Sequence, residues 1–171
     1  NALGEDPFLV PIKDRARLKT MFNKGSIQFS NRTLGRLTGN VSLFNYDYYF
    51  NSILITEEGT IQNKLQGEEI SVGGSYTNKM GPLYLKGNIN YTVSGDLTGN
   101  NFDAMASYRL NENNTVIGAI HASSRMPNFN YLLYQSDYRN FNWQNNDTFA
   151  NIRTQNIQIG FTSKWMGILE N

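Results

Sequence analysis

Leu83-Tyr-Leu-Lys-Gly-Asn-Ile-Asn-Tyr-Thr-Val93 decides the fold. Leu83, Leu85, Ile89, Tyr91 and Val93 fall on one side of an extended chain, and Tyr84, Lys86, Asn88, Asn90 and Thr92 on the other. A period of two sustained this long predicts a β-strand with one apolar and one polar face. The same alternation recurs on both sides of it. Upstream, Ile70, Val72 and Tyr76 oppose Glu69, Ser71, Ser75 and Thr77; downstream, Phe102, Ala104, Ala106, Tyr108 and Leu110 oppose Asn101, Asp103, Met105, Ser107 and Arg109. Val116, Ile120 and Ala122 then oppose Thr115, His121 and Ser123, and Ile157, Ile159, Phe161 and Trp165 oppose Asn156, Gln158, Thr162 and Lys164.

Nearer the start, Arg17 to Ser30 is strand-like, and Thr38 to Ile55 is a long β-rich run. In that run Val41 and Leu43 share one face while Phe44, Tyr46, Tyr48 and Phe50 share the other. Such a switch means either a β-bulge or a strand end that projects past its apolar surroundings. The chain thus holds about seven strands of roughly 10 residues, longer than globular strands and near the ~9–11 that cross a bilayer at a tilt.

The connections alternate in length. Asn31–Gly35, Asn78–Gly81, Asn111–Asn114 and the region near Met166–Ile168 read as tight turns, whereas Glu57–Gly67, Ser94–Asn100 and Ser124–Asn146 read as longer loops. Short turns on one rim and long loops on the other predict an all-β, antiparallel up-and-down transmembrane β-barrel portion spanning residues 17–171, preceded by an irregular entry segment at 1–16 and carrying its long external loop at 124–146. Tyr76, Tyr91, Tyr108 and Trp165 stand toward strand ends on the apolar side, as interfacial girdles do.

Composition agrees. The chain has 171 residues, of which 17% are charged and 13% aromatic, with no cysteine and a formal net charge of +1. There is no disulfide framework or thiolate metal site, no cofactor is expected, and near-neutral charge gives no footprint for nucleic acid. No apolar run reaches the ~20 residues of a transmembrane helix, so a membrane reading requires strands. No signal peptide is visible after Asn1, which is not a Met, so a preceding region is expected to be missing from this stretch.

The longest loop is unlike the rest. Met126–Asp147 packs Phe129, Tyr131, Tyr134, Tyr138, Phe141 and Trp143 among Asn, Gln, Asp137 and Arg139 without a clean period. It is too aromatic for a disordered linker. It reads as an ordered, exposed or lumen-facing loop outside any core, acting as a constriction or as a contact surface.

Pro127-Asn-Phe-Asn-Tyr-Leu-Leu-Tyr-Gln-Ser-Asp-Tyr-Arg-Asn-Phe-Asn-Trp143, with Lys13-Asp-Arg, Phe22-Asn-Lys-Gly-Ser-Ile-Gln-Phe-Ser-Asn31 and Gly95-Asp-Leu-Thr-Gly-Asn-Asn-Phe102, resembles the putative-porin family of Bacteroidota outer membranes. The resemblance covers most of Asp14 to Trp165. It implies an outer-membrane β-barrel that lets small solutes diffuse passively, partnered by the lipid bilayer and by other outer-membrane proteins, and it carries over no catalytic or binding residues. Family members are longer, so the chain reads as a middle portion.

Polar-face residues are the candidates for a lumen lining: Glu69, Lys86, Asn88, Asp103, Arg109, His121, Arg153 and Lys164. Rings of such charge set ion preference in pores. His121 and Ser123 share a face, but their spacing along a strand is too wide to expect them to pair, so the chain is not read as an enzyme. Asp47, Asp96 and Asp147 sit among Asn and Gly without a calcium-loop pattern, and turn chemistry accounts for them. Two alternatives stand beside the channel: a non-conducting barrel serving as a structural or docking subunit of an outer-membrane assembly, and a soluble β-sandwich binding carbohydrate through exposed aromatics.

Overall fold

The computed structural model describes residues 14–56, 59–138 and 140–164. In chain order it contains β1 (Ala16–Asn31), β2 (Gly35–Phe50), a short pair β3 (Leu54–Thr56) and β4 (Gly59–Ile61), then β5 (Lys64–Met80), β6 (Leu83–Ser94), β7 (Gly99–Arg109) and β8 (Asn114–Arg125). One helical turn, α1 (Phe129–Leu132), and a second short pair, β9 (Leu133–Tyr134) and β10 (Trp143–Gln144), precede β11 (Ile152–Ser163). The entry segment up to residue 13, Arg139, Trp165 and the turn near Met166–Ile168 lie outside the described residues.

The seven long strands form one antiparallel sheet in the order β1-β2-β5-β6-β7-β8-β11, an up-and-down meander. Tight connections at 32–34, 81–82 and 110–113 lie on one rim; on the other lie the long ones at 51–63 and 126–151 and a third at 95–98, which is as short as 110–113 and so shorter than its reading. The sandwich alternative needs a second sheet packed on this one. Among the described residues the only other strands are the two short pairs.

Register shows how the sequence divides the sheet into two faces. Phe29, Leu37, Tyr76, Gly87, Ala104, Ile120 and Ile157 lie side by side across all seven strands in one row. This outer face is wholly apolar there, and Phe29, Leu37, Ile120 and Ile157 are all exposed. Monomeric soluble proteins rarely expose a contiguous apolar face of this extent. From Leu83 to Val93 the chain rises roughly 34 Å, which at a tilt near 45° is about the 25 Å height of a lipid-facing band.

Side-chain chemistry closes two of the turns. Asn31 Oδ1 accepts the Thr33 and Leu34 amides at 2.8 and 3.1 Å, and Asn111 Oδ1 accepts those of Asn113 and Asn114, both at 2.9 Å. The expected Asn78–Gly81 turn is shorter than its reading: β5 runs on to Met80, which pairs with Leu83, so only Gly81 and Pro82 turn the chain. Gly81 has φ +58° and an added Cβ would meet nothing within 4 Å. Gly81→Ala should therefore cost about 1–2 kcal/mol through backbone strain alone. Equilibrium unfolding in lipid vesicles measures this, and an unchanged midpoint would contradict it.

The switch of faces in β2 has a clear cause. Its pairing with β1 and β5 is continuous, so no bulge intervenes. The outer face simply turns polar beyond Leu43, with Asn45, Asp47 and Tyr49 opposite Glu68, Gln66 and Lys64 of β5. Lys64 Nζ lies 3.3 Å from Asp47 Oδ1, and Asn45 Nδ2 donates to Glu68 Oε2 at 2.7 Å. The strands β1, β2 and β5, at 16, 16 and 17 residues, thus stand above the apolar band. For the same reason the Glu57–Gly67 loop is shorter than expected: Lys64–Glu68 is strand, but a strand wetted on its outer face carries no apolar alternation to reveal it.

Candidate functional site

The opposite face carries polar rows across the whole sheet. One residue away from the apolar row, Gln28, Thr38, Ser75, Asn88, Asp103, His121 and Asn156 stand side by side. Two residues further toward the long loops come Ser26, Asn40, Gly73, Asn90, Asn101, Ser123 and Thr154. Glycine at 73 is favoured by close approach: a Cβ there would stand 2.9 Å from the Ile89 carbonyl oxygen, with Asn90 Oδ1 at 2.7 Å. The polar face is a trough. A cavity of about 620 Å³ reaches from β5 to β11 and is lined by Ser75, Thr77, Lys86, Asn88, Asp103, His121, Asn156 and Gln158, among others.

Of the expected lining residues, Lys86, Asn88, Asp103 and His121 meet in this trough. Arg109 shares the face but sits at the short-turn rim, opposite Thr115. Lys164 follows β11 at that same rim, its amide donating to Asn113 O at 2.9 Å. Two residues are placed otherwise than expected. Glu69, opposite Phe44, stands on the trough face but is only 5% exposed, its Oε1 accepting the Leu97 amide at 2.7 Å, so it anchors the loop at 95–98 and offers no open lining. Arg153 pairs with Ser124 and lies on the face of Ile157 and Ile159, because its odd position in β11 alternates with Thr154 and Asn156.

His121 and Ser123 do pair, contrary to the spacing argument. His121 Nε2 lies 3.2 Å from Ser123 Oγ, and His121 Nδ1 lies 2.6 Å from Asp103 Oδ1 on the neighbouring strand. The ring is long enough to span the ~6.6 Å between alternate residues of a strand. Asn101 Nδ2 donates to Asp103 Oδ2 at 2.6 Å, completing the chain of contacts. The atom order is that of an acyl-transfer relay, but such a relay also needs donors for an oxyanion. Ser123 pairs with Asn101 on one side and Thr154 on the other, so the backbone around it is engaged in ladders on both sides.

Above the trough, the Met126–Asp147 stretch folds onto the aromatic end of β2. Phe129 lies with its ring centroid 5.2 Å from Tyr46 and 5.4 Å from Tyr48, and Tyr134 lies 5.2 Å from Phe50. Tyr134 stacks on Trp143 at 4.7 Å across the β9–β10 pair, and Trp143 Nε1 donates to Asn130 O at 3.0 Å. Leu132 and Leu133 are fully buried. The stretch was expected outside any core; with Tyr48 and Phe50 it instead forms the buried hydrophobic cluster of the described residues. The cause is tertiary: its aromatics have no local period because their partners are on β2. Tyr131, Tyr138 and Phe141 remain exposed.

Polar bonds fasten the stretch at its far end. Ser136 Oγ donates to Asp14 Oδ2, the Asp137 amide donates to Asp14 Oδ1 at 3.0 Å, and Ser52 Oγ donates to Asp137 Oδ1 at 2.8 Å. Asp14 falls in the Lys13-Asp-Arg motif without a role assigned to it, and Ser52 has no sequence signal; their place beside the folded loop marks both.

A family model described as putative porin matches residues 4–171. Neither the curated proteins nor the solved structures contain a match.

Proposed function

Because the chain belongs to the putative porin family, we propose that it forms part of an outer-membrane channel for the passive diffusion of small polar solutes. The observation that carries the reading is the two-sided register: an apolar row and a polar row, one residue apart, run across all seven strands. Such a sheet meets lipid on one side and water on the other. Diffusion through a water-filled conduit needs no cofactor; width and lining decide what passes. The Asp103–His121–Ser123 contacts are part of that lining, and the chain is a conduit without an enzymatic step. The folded stretch at 126–147 narrows the long-loop mouth.

Planar-bilayer recording of the purified full-length protein tests this. Stepwise conductance is expected, and correctly folded protein that carries no current would overturn the reading. A second reading, docking to a neighbouring outer-membrane protein, is favoured by the exposure of Tyr131 (56%), Tyr138 (40%) and Phe141 (58%). Aromatic side chains are enriched at interface cores. That reading expects co-purification lost in a triple alanine variant of these residues with conductance unchanged.

A further inference from the structure

The chain as a whole is nearly neutral, with 15 Lys and Arg against 14 Asp and Glu. Its trough face is not. Register places Lys24, Arg36, Lys79, Lys86, Arg109 and Arg125 on that face, and all six are exposed. None forms an ion pair with a carboxylate among the described residues. They are spread along the length of the trough: Arg125 lines the groove beneath the folded loop, Lys24 stands at the middle of β1, Arg36 and Lys86 share one row on the short-turn side, and Lys79 and Arg109 stand at the short-turn rim.

Carboxylates on the same strands are fewer and engaged. Glu69 is buried against the loop at 95–98, and Asp103 is held by His121 and Asn101. The remaining strand carboxylates, Asp47 and Glu68, lie on the outer face above the apolar band, facing Lys64 and Asn45.

We infer that the conduit is anion-selective and that its solutes are small anions able to accept hydrogen bonds, carboxylates and phosphates in chemical class. This rests on the channel reading. Fixed cations along a confined path raise the local concentration of mobile anions and repel cations. The amides and hydroxyls of the Asn40–Asn90–Asn101 row supply neutral donors between the charged positions, so an anion passes by short exchanges and is not trapped at one strong site.

The test is the reversal potential of the full-length protein in planar bilayers under a KCl gradient near 0.1 M. Chloride should be several-fold more permeant than potassium, and the preference should shrink near 1 M, where the screening length falls from about 10 to about 3 Å. The double variant Arg36→Glu, Lys86→Glu should lower or invert the ratio, while Arg153→Glu, on the opposite face, should leave it unchanged. A conducting wild-type channel that is unselective or prefers potassium overturns the inference and leaves the channel reading standing. Absence of any current from folded protein removes both.

Discussion

Ile120→Arg should prevent or severely weaken insertion of the sheet into lipid, by about 2–4 kcal/mol. Ile120 lies 48% exposed near the middle of β8, in the apolar row between Ala104 and Ile157. In water the substitution would be harmless or helpful, since an exposed isoleucine gains nothing from burial there. In hydrocarbon a guanidinium at this depth has no water and no partner, so the sign of the effect distinguishes a lipid-facing surface from a solvated one. The neighbouring residue supplies the control: Ala119 faces the trough, and Ala119→Arg should insert normally. Folding of the full-length variants into vesicles, followed by electrophoretic mobility and urea titration, reads both. Equal behaviour of the two substitutions would contradict the assignment of faces.

Opening the mouth is the second large effect. Replacing residues 127–146 by a short Gly/Ser linker should raise single-channel conductance several-fold, because that stretch covers the inner aromatic side chains of β2 and fills the long-loop end. Truncation exposes Tyr46, Tyr48 and Phe50, so a milder variant gives a second reading. Phe129→Ala removes the two ring contacts to Tyr46 and Tyr48, each worth about 0.5–1.5 kcal/mol beyond buried area. It should yield frequent transitions between two conductance levels and faster proteolysis within the stretch, with strand stability little changed. Conductance identical to wild type in both variants would mean that the folded stretch does not narrow the path.

The strands were legible in the sequence, and the reason is visible in the sheet. Where the outer face meets apolar surroundings, as in β6, β7 and β11, every second residue is apolar and the period shows. Where β2 and β5 rise above that band, Lys64, Gln66 and Glu68 face water and the period disappears, although the hydrogen-bonded ladder continues. The lining was legible as a face but not as a charge. Arg153 and Glu69 look like trough residues from composition, yet one is turned outward by its odd position in β11 and the other is buried by a loop amide. Lys24 and Lys79, which do face the trough, stand in stretches whose alternation is weak. The pairing of His121 with Asp103 depends on cross-strand register, which the separate strands do not encode.

The bond between Ser136 and Asp14 joins residues 122 apart in sequence, and it has a consequence in time as well as in space. Each strand pair of the meander closes over a short stretch of chain and forms early, whereas a contact of this separation must wait until the whole sheet between its ends has been laid down. On the channel reading, the assembling protein is therefore expected to pass through a wide-mouthed stage, with its aperture set in the last step of folding.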